Sequence, residues 1–235
     1  MTRINRSFSN NGAMAEEKEK VMKKILKIFI IILGGLIMMT NLSGCRYLEE
    51  QKFSDLGKVY PTKNPYDLFK VFPKGFRIFN SQLFYDTHYY LDLYSQDNGI
   101  ISGTLKITEN LETVVKIEIE VDKTGKLMPS KNLTGKYQEW LENFIFLFQI
   151  MDLSQEQLRS FKENGSYSNA IGDYTRLYIL NDSRVASYLK IQGTEFGISI
   201  HGNTDYEKQF DFYREVEIGR DDSSIKEFIT SGGGE

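Results

Sequence analysis

Chemistry in this sequence could be carried by a single cysteine, two histidines and a dense set of aromatic side chains. Cys45 stands alone, which excludes an intramolecular disulfide framework and any multi-cysteine zinc or iron–sulfur centre. Two histidines leave little room for a histidine-rich metal site. His88 lies between Thr87 and Tyr89 in a predicted strand, and His201 precedes Gly202 at a strand end. Nothing places a serine on a strained elbow beside either, so both read as strand residues, exposed or locally hydrogen-bonded. Asp205, Asp211, Asp221 and Asp222 lack the spacing of a calcium loop and read as solvated. No P-loop, dinucleotide fingerprint, Gly-x-Ser-x-Gly or His-Glu-x-x-His motif occurs. The expectation is a non-enzymatic chain with no catalytic residue, no metal and no cofactor.

The aromatics are more informative. Fourteen Tyr, 16 Phe and one Trp make up 13% of the chain. Tyr85, Tyr89, Tyr90 and Tyr94 crowd one predicted strand, and rings with a polar tip suit a saccharide, peptide or lipid surface. These four are the candidate binding surface. The plainer alternative is that they cover the sheet and pack beneath the central helices. A balance of 29 basic against 32 acidic residues has no basic excess, which argues against nucleic acid as a partner.

The N-terminal region carries an address. From Ile28 to Met39 every residue is apolar or Gly, and Lys23, Lys24 and Lys27 precede the run. A transmembrane helix needs about 20 apolar residues, whereas a run of this length with a basic flank fits a signal-peptide core. The run leads to Leu42-Ser43-Gly44-Cys45, which resembles a bacterial lipobox. That resemblance implies a diacylglycerol on the Cys45 thiol and cleavage between Gly44 and Cys45. Two acyl chains anchor stably where one is marginal. Residues 1–21 read as an extended or non-native N-terminus before a better start at Met22, and 22–44 as the lipoprotein signal peptide. Residues 45–235 are more acidic than the whole chain, whose net charge is −3. An acidic domain of this kind is repelled by anionic membrane surfaces.

The elements that must position these residues follow from periodicity. Arg46 to Lys58 reads as a tether with a short helix (linker 45–58). Asn64-Pro65 opens a helix, with Asn as cap and Pro at the first helical position, and Pro73 and Gly75 end it. From Phe76 to Val121 the period is two, with short turns at Gln96–Gly99, Glu109-Asn110 and Asp122–Gly125, which predicts an antiparallel meander. Tyr137, Trp140, Leu141, Phe144, Ile145, Leu147 and Phe148 form an apolar stripe on one helix from Gly135 to Ile150. Burial of Trp140 and Phe144 there is expected to specify the core. A second helix runs from Ser154, with a capping-box Gln157, to Glu163, and Asn164-Gly165 stops it. Strands follow at Tyr174–Leu180, Phe196–His201 and Gln209–Ile218, with a helix or strand from Asp182 to Ile191. The tail 223–235 reads as flexible. The prediction is one α+β domain, 59–222, mainly an antiparallel sheet packed on two or three helices.

Taken in order, the lipobox, Tyr60-Pro61-Thr62-Lys63-Asn64 with Asp67-Leu68, Glu142–Leu147, Phe161-Lys162-Glu163-Asn164-Gly165 and Tyr178–Asp182 resemble the staphylococcal tandem-type lipoproteins, the conserved staphylococcal antigens. The chain departs from the family at Gln96–Gly99, where members carry a basic Asn-Arg-Asn-Thr-Arg stretch, and lacks their late Lys-Gly-Ser-Ser-Val-Gly segment. The resemblance implies a surface lipoprotein of a Gram-positive bacterium, held to the membrane through Cys45 and linked to host interaction and immune sensing. It implies no enzymatic activity. A host protein or receptor is the expected partner, and the chain is expected to be monomeric. The alternative is a carrier that holds lipid or a small molecule between the sheet and the Trp140 helix.

Overall fold

The computed structural model describes residues 52–95, 99–169, 173–190, 193–203, 212–220 and 223–232. Among these, ten strands form one antiparallel sheet: β1 (Phe76–Phe84), β2 (Thr87–Ser95), β3 (Ile101–Glu109), β4 (Glu112–Val121), β5 (Leu127–Pro129), β6 (Lys162–Ser168), β7 (Asp173–Asn181), β8 (Glu195–Asn203), β9 (Tyr213–Arg220) and β10 (Ser223–Ser231). Four short α-helices accompany them: α1 (Lys136–Glu142), α2 (Leu147–Ile150), α3 (Gln155–Ser160) and α4 (Ser183–Tyr188). The fold is α+β and mainly β, as expected.

The strand order is β5-β4-β3-β2-β1-β10-β9-β8-β7-β6. The chain therefore starts in the middle of the sheet and zigzags outward to β5. It then passes through α1 to α3, re-enters at the opposite edge as β6, and zigzags back until β10 closes against β1. Side chains alternate across this sheet as the pleat requires. Ile78, Leu91, Leu93, Ile225, Ile229, Val216 and Ile200 are fully buried on one face. Tyr60 and the start of α2 lie over that face, since the Tyr60 hydroxyl and the Leu147 and Phe148 amides all donate to Glu227 of β10. No described element covers the other face, where Arg77, Phe79, Tyr90, Asp92, Lys226 and Phe228 are half-buried.

Several expected boundaries move. The tether expected to extend to residue 58 is docked in the domain from Lys52 on. Phe53 and Leu56 are fully buried, the Phe53 ring lies 4.7 Å from Tyr174, and Asp55 forms an ion pair with Arg214 at 2.8 Å. The flexible tail is the largest correction. Ser223–Ser231 is a central strand, paired along β1 on one side and β9 on the other. The second predicted helix ends at Ser160, and Asn164-Gly165 lies inside β6 rather than stopping a helix. Strand β6 went unpredicted because it is an edge strand, polar throughout and wet on both faces, with a register shift between Glu163 and Gly165.

The single helix predicted from Gly135 to Ile150 is broken into α1 and α2. Between them the backbone N–H groups are taken by side chains from elsewhere: Ile145 by the Tyr188 hydroxyl at 3.2 Å and Phe146 by Gln149 Oε1 at 3.0 Å. Glu227 then accepts from Leu147 and Phe148, two of the amides a helix start leaves unpaired. The core moves with the break. Phe146, Leu147 and Phe148 are fully buried, with Phe146 and Phe148 stacked at 4.7 Å, while Trp140 and Phe144 are only partly buried. Other local signals agree with the structure. Asn64 Oδ1 accepts from Tyr66 N at 3.0 Å at the head of the 3-10 helix Pro65–Lys70, and Asp122 Oδ1 accepts from Thr124 N and Lys126 N in the β4–β5 turn.

Candidate functional site

Gly44 and Cys45, with the whole expected signal segment, lie outside the described residues. The four tyrosines proposed as one surface are separated by the pleat. Tyr90 and Tyr94 point to the open face, where their polar tips are already engaged. Tyr90 meets His88 Nδ1 at 3.0 Å, and the Tyr94 hydroxyl donates to Asp92, which also holds Arg77 through two bonds of 2.8 and 2.9 Å. Tyr89 points the other way and is 5% exposed. Tyr85 is not in the strand at all but in the turn between β1 and β2. His201 bonds Thr175 at 2.8 Å, and burial lowers the pKa of His88 below its usual value.

The pleat instead unites Tyr85 and Tyr89 with Trp140. A cleft of about 560 Å³ opens where the end of β1, the start of β2, α1 and α4 meet. Its inner wall is aromatic: Phe84, Tyr89, Trp140 and Tyr188. The Tyr89 and Trp140 rings are stacked with centroids 4.4 Å apart and 13° between planes. Its rim carries Tyr85, Asp86, Lys136, Glu139 and Lys190, all exposed. Lys136 is committed to Glu109, which also accepts from the Tyr137 hydroxyl at 2.8 Å; these partners pull the Glu109 carboxyl below its usual range.

Two rim residues are held in an unfavourable conformation. Tyr85 and Lys190 both have φ of +56°. In a two-residue hairpin turn, positive φ at the first position is normally given to glycine, because a Cβ there is crowded by roughly 1–2 kcal/mol. The turn nonetheless holds a tyrosine, 70% exposed. The neighbouring β3–β4 turn, tied to it by a 3.4 Å bond from Asn110 N to Asp86 O, likewise presents Leu111 at φ +70° and 96% exposed. Strain of this kind concentrates at functional sites.

The cleft wall is wired to the centre of the sheet. Trp140 Nε1 donates to Gln82 Oε1 at 2.9 Å, and the Tyr188 hydroxyl lies 3.2–3.3 Å from the same amide group. Gln82 Nε2 donates to Asn80 Oδ1 at 3.0 Å, and Asn80 Nδ2 donates to Glu227 Oε2 at 3.0 Å. Glu227 is fully buried, and desolvation raises its pKa to about 7 against four donors that favour the charged form. Sequence reading missed Gln82, Tyr188, Lys190 and Glu227. Only Glu227 left a signal, an acid with Ile225 and Ile229 two residues to either side. Trp140→Phe keeps the stacked ring but removes one of the two donors to Gln82 Oε1, leaving the longer 3.3 Å bond from the Tyr188 hydroxyl. The expected cost is about 0.5–1.5 kcal/mol, read from the denaturant midpoint.

A second cleft of about 480 Å³ lies beside α3 and β7. It is less aromatic, and its Arg184 is paired with Asp182 at 2.9 Å. Among the described residues there is no group of three or more His, Cys, Asp or Glu that could hold a metal ion. No helix among them is long and apolar enough to cross a membrane. The chain matches no protein-family model and none of the curated proteins with which it was compared.

Proposed function

We propose that this chain is a membrane-anchored surface lipoprotein of a Gram-positive bacterium, non-enzymatic, whose domain meets an external partner such as a host protein or receptor. The observation that carries the reading is Leu42-Ser43-Gly44-Cys45 placed two residues after a basic flank and an apolar run. The ordered motifs shared with the staphylococcal tandem-type lipoproteins support it. The Lys52 carbonyl accepts from the Tyr174 hydroxyl at 2.8 Å and from Arg214 at 3.1 Å, where β7 and β9 begin. The cleft lies where β1 and β9 end, roughly 25 Å away along strands of eight or nine residues. The cleft and both strained turns therefore lie at the opposite end of these strands from Lys52. Cys45→Ala is expected to abolish incorporation of radiolabelled fatty acid and to leave an uncleaved precursor, while the domain still folds. Label retained in that variant would sink the proposal.

A second reading has one observation in its favour. The cleft beside Trp140 lies within the size range of small-molecule sites, about 300–1,000 Å³, and joins an aromatic wall to a few polar groups. On this reading the domain holds a ligand between its sheet and α1.

A further inference from the structure

We infer that the cleft beside Trp140 binds an uncharged saccharide of one to three sugar units, an inference that rests on reading this cleft as a small-molecule site. The wall and the rim ask for different chemistry, and a sugar has both. The half-buried Trp140 ring, backed by Tyr89 stacked beneath it at 4.4 Å, and Phe84 form an apolar aromatic wall suited to the C–H face of a pyranose ring. The rim offers a carboxylate at Asp86 and at Glu139, an amide at Asn143 and a hydroxyl at Ser187, all exposed and able to bond ring hydroxyls.

Charge decides against the other candidates. Two acids, Asp86 and Glu139, face two lysines, and Lys136 is already neutralised by Glu109. A phosphate or anionic headgroup would meet a rim with no net attraction. An acyl chain needs a closed apolar sleeve, whereas this cleft is open and polar-edged, so much of the chain would stay in water. A neutral polyhydroxylated ring suffers neither penalty.

Tyr85 supplies the outer ring. It stands at the mouth of the cleft, 70% exposed, on a turn position that glycine would occupy without strain. Exposed as it is, its burial in the core cannot account for the strain. A ring held there closes over a ligand stacked against the wall.

The chain contains one tryptophan, and it lines this cleft, so its fluorescence reports on occupancy directly. The full chain, in a polyoxyethylene detergent, would be titrated with maltotriose, cellotriose and triacetylchitotriose, with octanoate and inorganic phosphate alongside. At least one trisaccharide is expected to shift Trp140 emission saturably at millimolar concentration or below. Tyr85→Ala is expected to weaken that response roughly tenfold. Tyr85→Gly should weaken it equally while its thermal midpoint stays at or above that of the parent, because glycine accepts the positive φ. That pairing separates lost binding from lost folding. A response to octanoate or phosphate alone would overturn the saccharide while keeping the cleft as a small-molecule site. No response to any probe would overturn both. A trisaccharide response untouched in Tyr85→Gly would overturn the role given to Tyr85 and with it this placement of the ligand.

Discussion

A chain ending at Asp222 is expected not to fold. Strand β10 pairs with β1 over nine residues, Phe76↔Ser231 to Phe84↔Ser223, and with β9 over eight. Its loss removes Ile225 and Ile229 from the core, deprives Tyr60, Asn80, Leu147 and Phe148 of their shared acceptor, and opens two strand edges in the middle of the sheet. Domains are stable by about 5–15 kcal/mol, and this removes both a core layer and the seam that joins the two meanders. Near-UV circular dichroism and amide dispersion should be lost, with rapid proteolysis. A truncated chain that unfolded cooperatively at the parent's midpoint would mean that β1 and β9 close directly on each other. The seam also makes folding slow in principle, since β1 and β10 lie about 150 residues apart and that loop must close before the pairing forms.

Glu227→Ala is the most damaging single substitution expected, at about 3–5 kcal/mol, because four buried donors lose their partner together. Glu227→Gln keeps one acceptor oxygen and tests the charge by itself. The pKa of Glu227 is raised from its ordinary 4.5 to about 7, so between these values the folded chain binds the proton more tightly than the unfolded chain. Stability from this group is therefore fully present below about pH 4.5 and is lost as pH rises towards 7. By linkage, the full difference is about 3 kcal/mol. Denaturant midpoints should fall from pH 5 to pH 8 more steeply in the parent than in Glu227→Gln. His88, whose pKa is lowered by burial, acts in the opposite sense and is common to both proteins, so the difference between them isolates Glu227. A parent with a flat profile would show that the four donors hold the charged form without penalty.

The same residue explains much of what could and could not be read in the sequence. Strands β2 to β4 were legible because their inward positions are mostly apolar or aromatic and their outward ones polar, as in Val115 to Val121. In β10 the inward file is Ser223, Ile225, Glu227 and Ile229, while Phe228 faces out. An acid inside and a phenylalanine outside cancel the alternation, and a central strand reads as a tail. The break between α1 and α2 was hidden for a related reason. Trp140 to Phe148 carries a helical stripe, but Tyr188, Gln149 and Glu227 compete for its amides from positions distant in sequence or across a turn. The cleft was half legible. Tyr85, Tyr89 and Trp140 were singled out, yet Tyr90 and Tyr94 were grouped with them, because crowding along a chain does not say which face of a pleat each ring takes.

The two outermost strands bear on how such a chain behaves in a crowd. Strand β5 is three residues long and ends in Pro129, which has no amide to donate. Strand β6 is charged at Lys162 and Glu163 and shifts register at Gly165. On the lipid-anchored reading proposed above, the protein would meet its own copies in two dimensions, at local densities far above those of dilute solution. A ten-stranded sheet with long, flat, apolar borders would grow there by adding its neighbours strand to strand. Here a short border with a missing donor and a polar, bulged one leave little for a second copy to extend, and neighbouring molecules can be packed side by side without merging into a single ribbon.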